Sequence, residues 1–390
     1  MIEQWKQDET LVETPPRSQL SNLRKRSIRF IAAAALVLLA VAQPGHAAVT
    51  REDFTVTSEP GITVFVREVR SEAEGAPARK PPVILLHGAR VPGVASFDLP
   101  VEGGSLAADI AEAGHRTFIM DARGYGGSTR PEAMNRPPGP VPLVKSHEVV
   151  RDIDAVVRSV KQRTGATQVA LLGWATGGHW AGMYASLHPE QVSHLIMLNS
   201  LYGGSDRHAM LGHGTSSEMP GQPGRFNAPE VGGYRYNTAA SLISQWDRSI
   251  PLEDKTLWRD PRVVEAYQRE ALASDPTSAQ RDPPSFRSPN GALEDSFYLA
   301  IGRQLWDAAS ITARVLIVRS ENDFWSRPED VTTLQRHLVR AAEVRVLDIP
   351  EATHFVHLDR PERGRALFLA QVKSFLDGAS SSSAQSAVSR

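Results

Sequence analysis

No cysteine occurs among the 390 residues, which excludes disulfides, thiolate nucleophiles and thiolate metal sites. There is no excess of one charge either. The chain has 43 basic and 44 acidic residues, a formal net charge of -1, so nothing in it points to a nucleic-acid or acidic-polymer partner. Twelve histidines are present, yet no His/Asp/Glu cluster has metal-ligand spacing, and no glycine-rich loop ends in Lys-Ser/Thr. Neither a metal nor another cofactor is expected. No internal repeat is found.

The chain has the means to build a sizeable core: 41% of its residues are hydrophobic and 22% charged. Its length suits one large α/β domain with an inserted subdomain, or two domains. Near the N-terminus Arg24, Lys25, Arg26 and Arg29 precede an apolar run over 30–42, followed by Pro44-Gly45-His46-Ala47-Ala48. Basic residues, a short apolar stretch and small residues at a break predict a signal peptide over 1–47, cleaved after Ala47 or Ala48. The run is shorter than the roughly 20 residues that span a bilayer, so no stable membrane anchor is expected once it is removed. Export to the periplasm or medium follows. The Ser- and Ala-rich tail 378–390 reads as disordered.

Apolar, β-branched runs alternate with longer helix-like segments, the pattern of a mostly parallel sheet covered by helices on both faces. Strands are predicted at 54–57, 62–69, 83–86, 117–120, 169–172, 194–198, 315–318 and 344–347, the first two as an antiparallel edge pair. Helices are predicted at 147–162, 180–187 and 362–376, with Pro361 at the start of the last. The alternation stops over 202–311, a segment rich in Gly, Pro, Arg and Trp, with helices expected near 239–246, 262–273 and 293–308. A long insertion between two strands reads as a cap over a site. The core then comprises 48–201 and 312–377.

Directly after the strand at 169–172 comes Gly173-Trp174-Ala175-Thr176-Gly177. Flanking glycines let strand and helix approach closely, and the central residue takes a strained backbone that projects its side chain at a helix N-terminus. Such an elbow carries a nucleophile. Here its centre is alanine. Other strand ends bring His87-Gly88-Ala89, then Asp121 and Arg123, then Asp323, then His354.

On these motifs, taken in this order from 54 to 376, the chain resembles the α/β-hydrolase superfamily, with the insertion where that family carries its cap. The resemblance implies that position 175 is the nucleophile site, where serine is expected, with Asp323 as acid and His354 as general base. The N–H groups of Ala89 and Thr176 would form the oxyanion hole. Glu321 and Asp330 are rival acids and His357 a rival base; Asp121 and Arg123 read as structural. Trp174, Trp325 and Phe355 could line a pocket or pack in the core. Arg90 reads as either a solvated residue or a contact for a substrate carboxylate.

The implied parent activity is hydrolysis of a carboxylic ester or related acyl bond. The flanks of Ala175 are more like an esterase elbow than that of an epoxide hydrolase or haloalkane dehalogenase, which use a carboxylate nucleophile. Trp246, Trp258 and Trp306 in the insertion suggest a small apolar or aromatic ester substrate. Three readings fit Ala175: a Ser→Ala change in an otherwise intact hydrolase, a natural pseudoenzyme that binds a small apolar ligand, or a nucleophile moved to Thr176. In the first two the chain as written is nearly inert.

Overall fold

The computed structural model of the protein describes residues 48–72 and 80–378. The predicted signal peptide, and the predicted tail from 379 onward, lie outside them. Chain order is β1 (Val49–Glu59), β2 (Ile62–Ser71), β3 (Val83–Leu86), α1 (Gly93–Phe97), α2 (Leu106–Glu112), β4 (Thr117–Met120), α3 (Ser146–Thr164), β5 (Val169–Trp174), α4 (Thr176–Leu187) and β6 (Val192–Leu198). An insertion follows with α5 (Ala228–Val231), β7 (Tyr234–Thr238), α6 (Ala239–Ser249), α7 (Pro261–Ala273), β8 (Ser285–Pro289) and α8 (Gly291–Ala300). The core resumes with β9 (Arg314–Asn322), α9 (Pro328–His337), β10 (Glu343–Thr353) and α10 (Arg365–Leu376).

Eight strands form one sheet in the order β1-β2-β4-β3-β5-β6-β9-β10. β1 and β2 pair antiparallel, β2 meets β4 antiparallel, and all other pairings are parallel. The central strands are apolar at nearly every position because both of their faces are covered. Alternate residues then go to opposite sides. Val83, Leu85, Ile119, Leu172, Ile196 and Val318 pack with α1, α2 and α10, whereas Ile84, Leu86, Phe118, Leu171, Met197 and Ile317 pack with α3, α4 and α9. α3 buries the six apolar residues read at helical spacing in its sequence, from Val149 to Val160. It stops at Gly165, whose φ of 70° is left-handed.

Two predicted helices are shorter than expected. The one at 362–376 is split: a 3₁₀ turn at Pro361–Arg363 ends at Gly364 (φ 102°), and α10 begins after it. The one at 293–308 ends at Ala300, and Gly302 turns the chain with φ 85°. The short α1 and α2 and the helix α9 went unpredicted, as did the β7–β8 ladder that organises the insertion. Among the described residues no helix is long and apolar enough to cross a membrane.

Several histidines are buried in this core. His179 donates from Nε2 to Ser146 Oγ (3.0 Å) and accepts from Trp306 Nε1 at Nδ1 (3.0 Å). Burial pushes His179 and His357 down to about 3, and burial with the nearby Arg314 cation pushes His194 down to about 4. As pH falls below the ordinary histidine range, the unfolded chain takes up protons that these rings refuse, so acid destabilises the fold. Asp359 opposes this, because burial pushes its carboxyl up to about 6. Burial also holds His87, His115 and His208 below the ordinary histidine range, so the imidazoles outweigh the one carboxyl. Stability should therefore fall by at least roughly 3 kcal/mol per pH unit between about pH 5.5 and 4.5, a net uptake of about two protons or more on unfolding. Thermal unfolding followed across that window checks this; a flat melting temperature would contradict it.

Candidate active site

The C-terminal ends of the parallel strands converge on one cavity of about 240 Å³. Ala175 follows β5 there with φ 53° and ψ -118°, one of four non-glycine residues with positive φ among the described residues. Its N–H donates to Leu198 O (2.8 Å), which holds the elbow against β6. The glycines around it are required by contact. A Cβ on Gly173 would lie 2.2 Å from Gly177 O, and one on Gly177 would lie 2.0 Å from Leu86 O. The side chain of Ala175 faces the cavity; a Cβ on Gly88 across from it would come within 3.5 Å of its own.

His354 follows β10 and lines the same cavity. Its Nδ1 donates to Asp323 Oδ1 at 2.5 Å, which leaves Nε2 as the unprotonated nitrogen of the neutral ring. Asp323 follows β9 and is fixed by the N–H groups of Trp325 (3.0 Å) and Ser326 (2.7 Å), with the Ser326 hydroxyl on its other oxygen. The His354 carbonyl accepts from Trp174 Nε1 (3.0 Å) and Asn199 Nδ2 (3.2 Å). Asn199 also exchanges hydrogen bonds with Ser320 of β9, so one side chain ties the ends of β6 and β9 to the histidine loop.

The rival residues are engaged elsewhere. Asp330 pairs with Arg327 (2.7 Å) and accepts from the N–H groups of residues 202–204. Glu321 accepts from Glu351 N. His357 is fully buried against Trp174 and Phe97, away from the cavity lining. Asp121 and Arg123 are structural as expected. Asp121 holds the N–H groups of Gly93 (2.7 Å) and Gly127 (2.9 Å), and Arg123 pairs with Asp152 (2.7 Å).

Ala89 and Thr176 both line the cavity. His87 sets the first of them. Ala122 N–H donates to its Nε2 (3.1 Å), so the neutral ring carries its proton on Nδ1 and donates it to Gly88 O (2.6 Å). Anchoring that carbonyl fixes the peptide plane, and with it the direction of the Ala89 N–H on the opposite edge. Sequence reasoning gave His87 no such part.

Arg90, Trp174, Trp325 and Phe355 are in the lining too. Arg90 is only partly exposed, since its guanidinium bonds Asn237 Oδ1 (2.9 Å) and Ser241 Oγ (3.0 Å); the solvated reading is corrected by the insertion folding over it. The three insertion tryptophans are not in the lining. Trp246 stacks behind Phe355 at 4.7 Å, Trp258 is buried beneath Arg363, and Trp306 packs in the core against His179 and α4. The aromatic walls are instead Trp174, Tyr267, Phe324, Trp325 and Phe355. Arg235, Gln245, Tyr267 and Ser296, all from the insertion, were not predicted; an irregular segment gives no periodicity by which to find inward-facing side chains. Among the described residues no group of His, Asp and Glu could hold a metal ion.

The profile of the alpha/beta hydrolase fold family matches residues 81–361. The chain belongs to this family. The α/β-hydrolase fold also recurs in solved structures at low identity. A putative aryl esterase from Burkholderia cenocepacia is 14% identical with a TM-score of 0.53, over 84% of this chain and 98% of that one. An esterase from Thermogutta terrifontis is 17% identical with a TM-score of 0.52, over 84% and 98%. Among curated proteins, Epoxide hydrolase 3 of Xenopus tropicalis is 27% identical over 135 residues, 35% of this chain. The chain spans 32% of that relative's length.

Proposed function

We propose that this α/β-hydrolase is built to cleave a carboxylic ester or related acyl bond by a Ser-His-Asp mechanism, with the nucleophile absent because Ala175 stands at its position. The observation that carries the reading is the 2.5 Å hydrogen bond from His354 to Asp323, beside a cavity that Ala175 enters with the backbone of a nucleophile elbow. A hydroxyl at 175 would attack the acyl carbon while His354 Nε2 takes its proton. Asp323 would stabilise the imidazolium, and the N–H groups of Ala89 and Thr176 would receive the developing oxyanion. The leaving alcohol would then collect the proton from His354, and water would release the acid by the same path. With a methyl group at 175 the first step has no nucleophile, so the chain as written binds its ligand and turns it over only very slowly. The aromatic lining supports a small apolar or aromatic ester as that ligand. The basic and apolar residues at 24–42 support export to the periplasm or medium.

The match to Epoxide hydrolase 3 favours a second reading, in which a carboxylate belongs at 175 and opens an epoxide. Ala175→Ser and Ala175→Asp variants, each assayed on a panel of aryl and alkyl esters and on styrene oxide, separate the two. We expect serine to give ester hydrolysis and aspartate to give no epoxide opening. Epoxide turnover by the aspartate variant, with a silent serine variant, would reverse the assignment.

A further inference from the structure

Two arginines, Arg90 and Arg235, line the cavity, and no Asp or Glu lines it. Neither guanidinium has a carboxylate partner among the described residues. Arg90 reaches only Asn237 Oδ1 and Ser241 Oγ, which leaves its Nη1 without a hydrogen-bond partner there. Arg235 donates to Ala89 O (2.8 Å), Pro289 O (3.3 Å) and Asn290 Oδ1 (2.5 Å), all neutral. Among the described residues the fully buried arginines are paired, Arg123 with Asp152, Arg287 with Asp275, Arg327 with Asp330 and Arg365 with Asp109, whereas the half-buried Arg90 and Arg235 are not. An arginine cannot shed its charge to escape burial, and an unpaired buried cation is costly.

We propose that Arg90 and Arg235 form an anion-binding subsite, so that the ligand of this cavity carries a carboxylate besides the bond to be cleaved. The inference rests on the ester-hydrolase reading and names its substrate class: an aromatic or apolar half-ester. The two cations repel each other, and burial together with that repulsion pushes Arg235 down to about 10. A bound carboxylate removes both penalties. The two arginines also have different freedom. Arg235 holds the carbonyl of Ala89 and so shapes the loop that Arg90 belongs to, while Arg90 keeps a free terminal nitrogen that can donate to a carboxylate. Arg90 itself is held to the insertion through Ser288, whose hydroxyl donates to its carbonyl (2.6 Å).

The test is isothermal titration of the full chain, with Ala175 retained so that binding is read without turnover. The probes are phenyl hydrogen glutarate and its neutral methyl ester, methyl phenyl glutarate. The anion should bind about ten- to hundredfold more tightly, the gain expected of a charge-assisted contact in a half-buried site. That ratio should fall at least about fivefold in Arg90→Gln, less in Arg90→Lys, and in the unaltered chain it should shrink as salt is raised. Folding of each variant is checked by circular dichroism, and the lysine variant serves if glutamine does not fold. Equal affinities in the unaltered chain, or a ratio unmoved in both Arg90 variants, would overturn the subsite. Failure of Ala175→Ser to hydrolyse either ester would instead count against the ester-hydrolase reading and leave the anion preference standing.

Discussion

Ala175→Ser should raise the rate of ester hydrolysis by on the order of 10⁶, the factor by which losing a catalytic serine lowers kcat. The size of the gain follows from how little else is missing. The residue at 175 already has its left-handed backbone, φ 53°, and its methyl group already faces the cavity. One added oxygen is small, and the surrounding glycines keep the backbone of β3 and α4 close without Cβ clashes. His354 and Asp323, the proposed base and acid, are already bonded at 2.5 Å. Steady-state kcat on an aryl ester, compared with that of the unaltered chain, gives the ratio. A folded serine variant with no gain would mean that the cavity serves binding alone.

Asp323→Asn in the Ala175→Ser background should lower kcat by about 10⁴ while the fold is kept. Asparagine has nearly the same shape and can still accept from Trp325 N or Ser326 N. Its amide, however, offers an N–H where Nδ1–H of His354 needs an acceptor. The ring then turns or changes tautomer, and Nε2 no longer stands ready for the serine proton. Nor is the imidazolium stabilised by a neighbouring charge. A loss of less than about tenfold would show that another acid serves, with Glu321 the nearest in sequence.

These expectations could be formed because the site is built at strand ends. A parallel sheet buried on both faces writes long apolar runs, and the residues just after each run must leave the sheet on the same edge. So these segments could be placed at one edge from the strands alone, Ala175 just beyond its strand, whereas the roles of Ala89, Asp323 and His354, each several residues past a predicted strand, came from the family resemblance; the structure brings the cavity to that edge. The insertion is different. Its side chains face the cavity from short helices and a two-stranded ladder whose order is set by tertiary contacts, as with Tyr267 from α7 and Arg235 from β7. The expectation of an aromatic substrate leaned on Trp246, Trp258 and Trp306 by residue type alone, yet burial in a core serves an indole equally well. Trp306 shows why: it fills the space over Gly182, where a Cβ would come within 2.4 Å of its ring. For Arg90 the sequence favoured solvent over a ligand contact, and only Asn237 and Ser241, more than 140 positions further on, hold its guanidinium in the cavity lining.

The central claim is that a complete acyl-transfer site surrounds a missing hydroxyl. It is tested most directly by the intact mass of the Ala175→Ser chain after treatment with a fluorophosphonate, alongside the unaltered chain and an Ala175→Ser, His354→Ala double variant. The account predicts one adduct, on residue 175, in the serine variant, with labelling far slower in the double variant and none in the unaltered chain. No adduct on the folded serine variant, or an adduct on Thr176 of the unaltered chain, would contradict it.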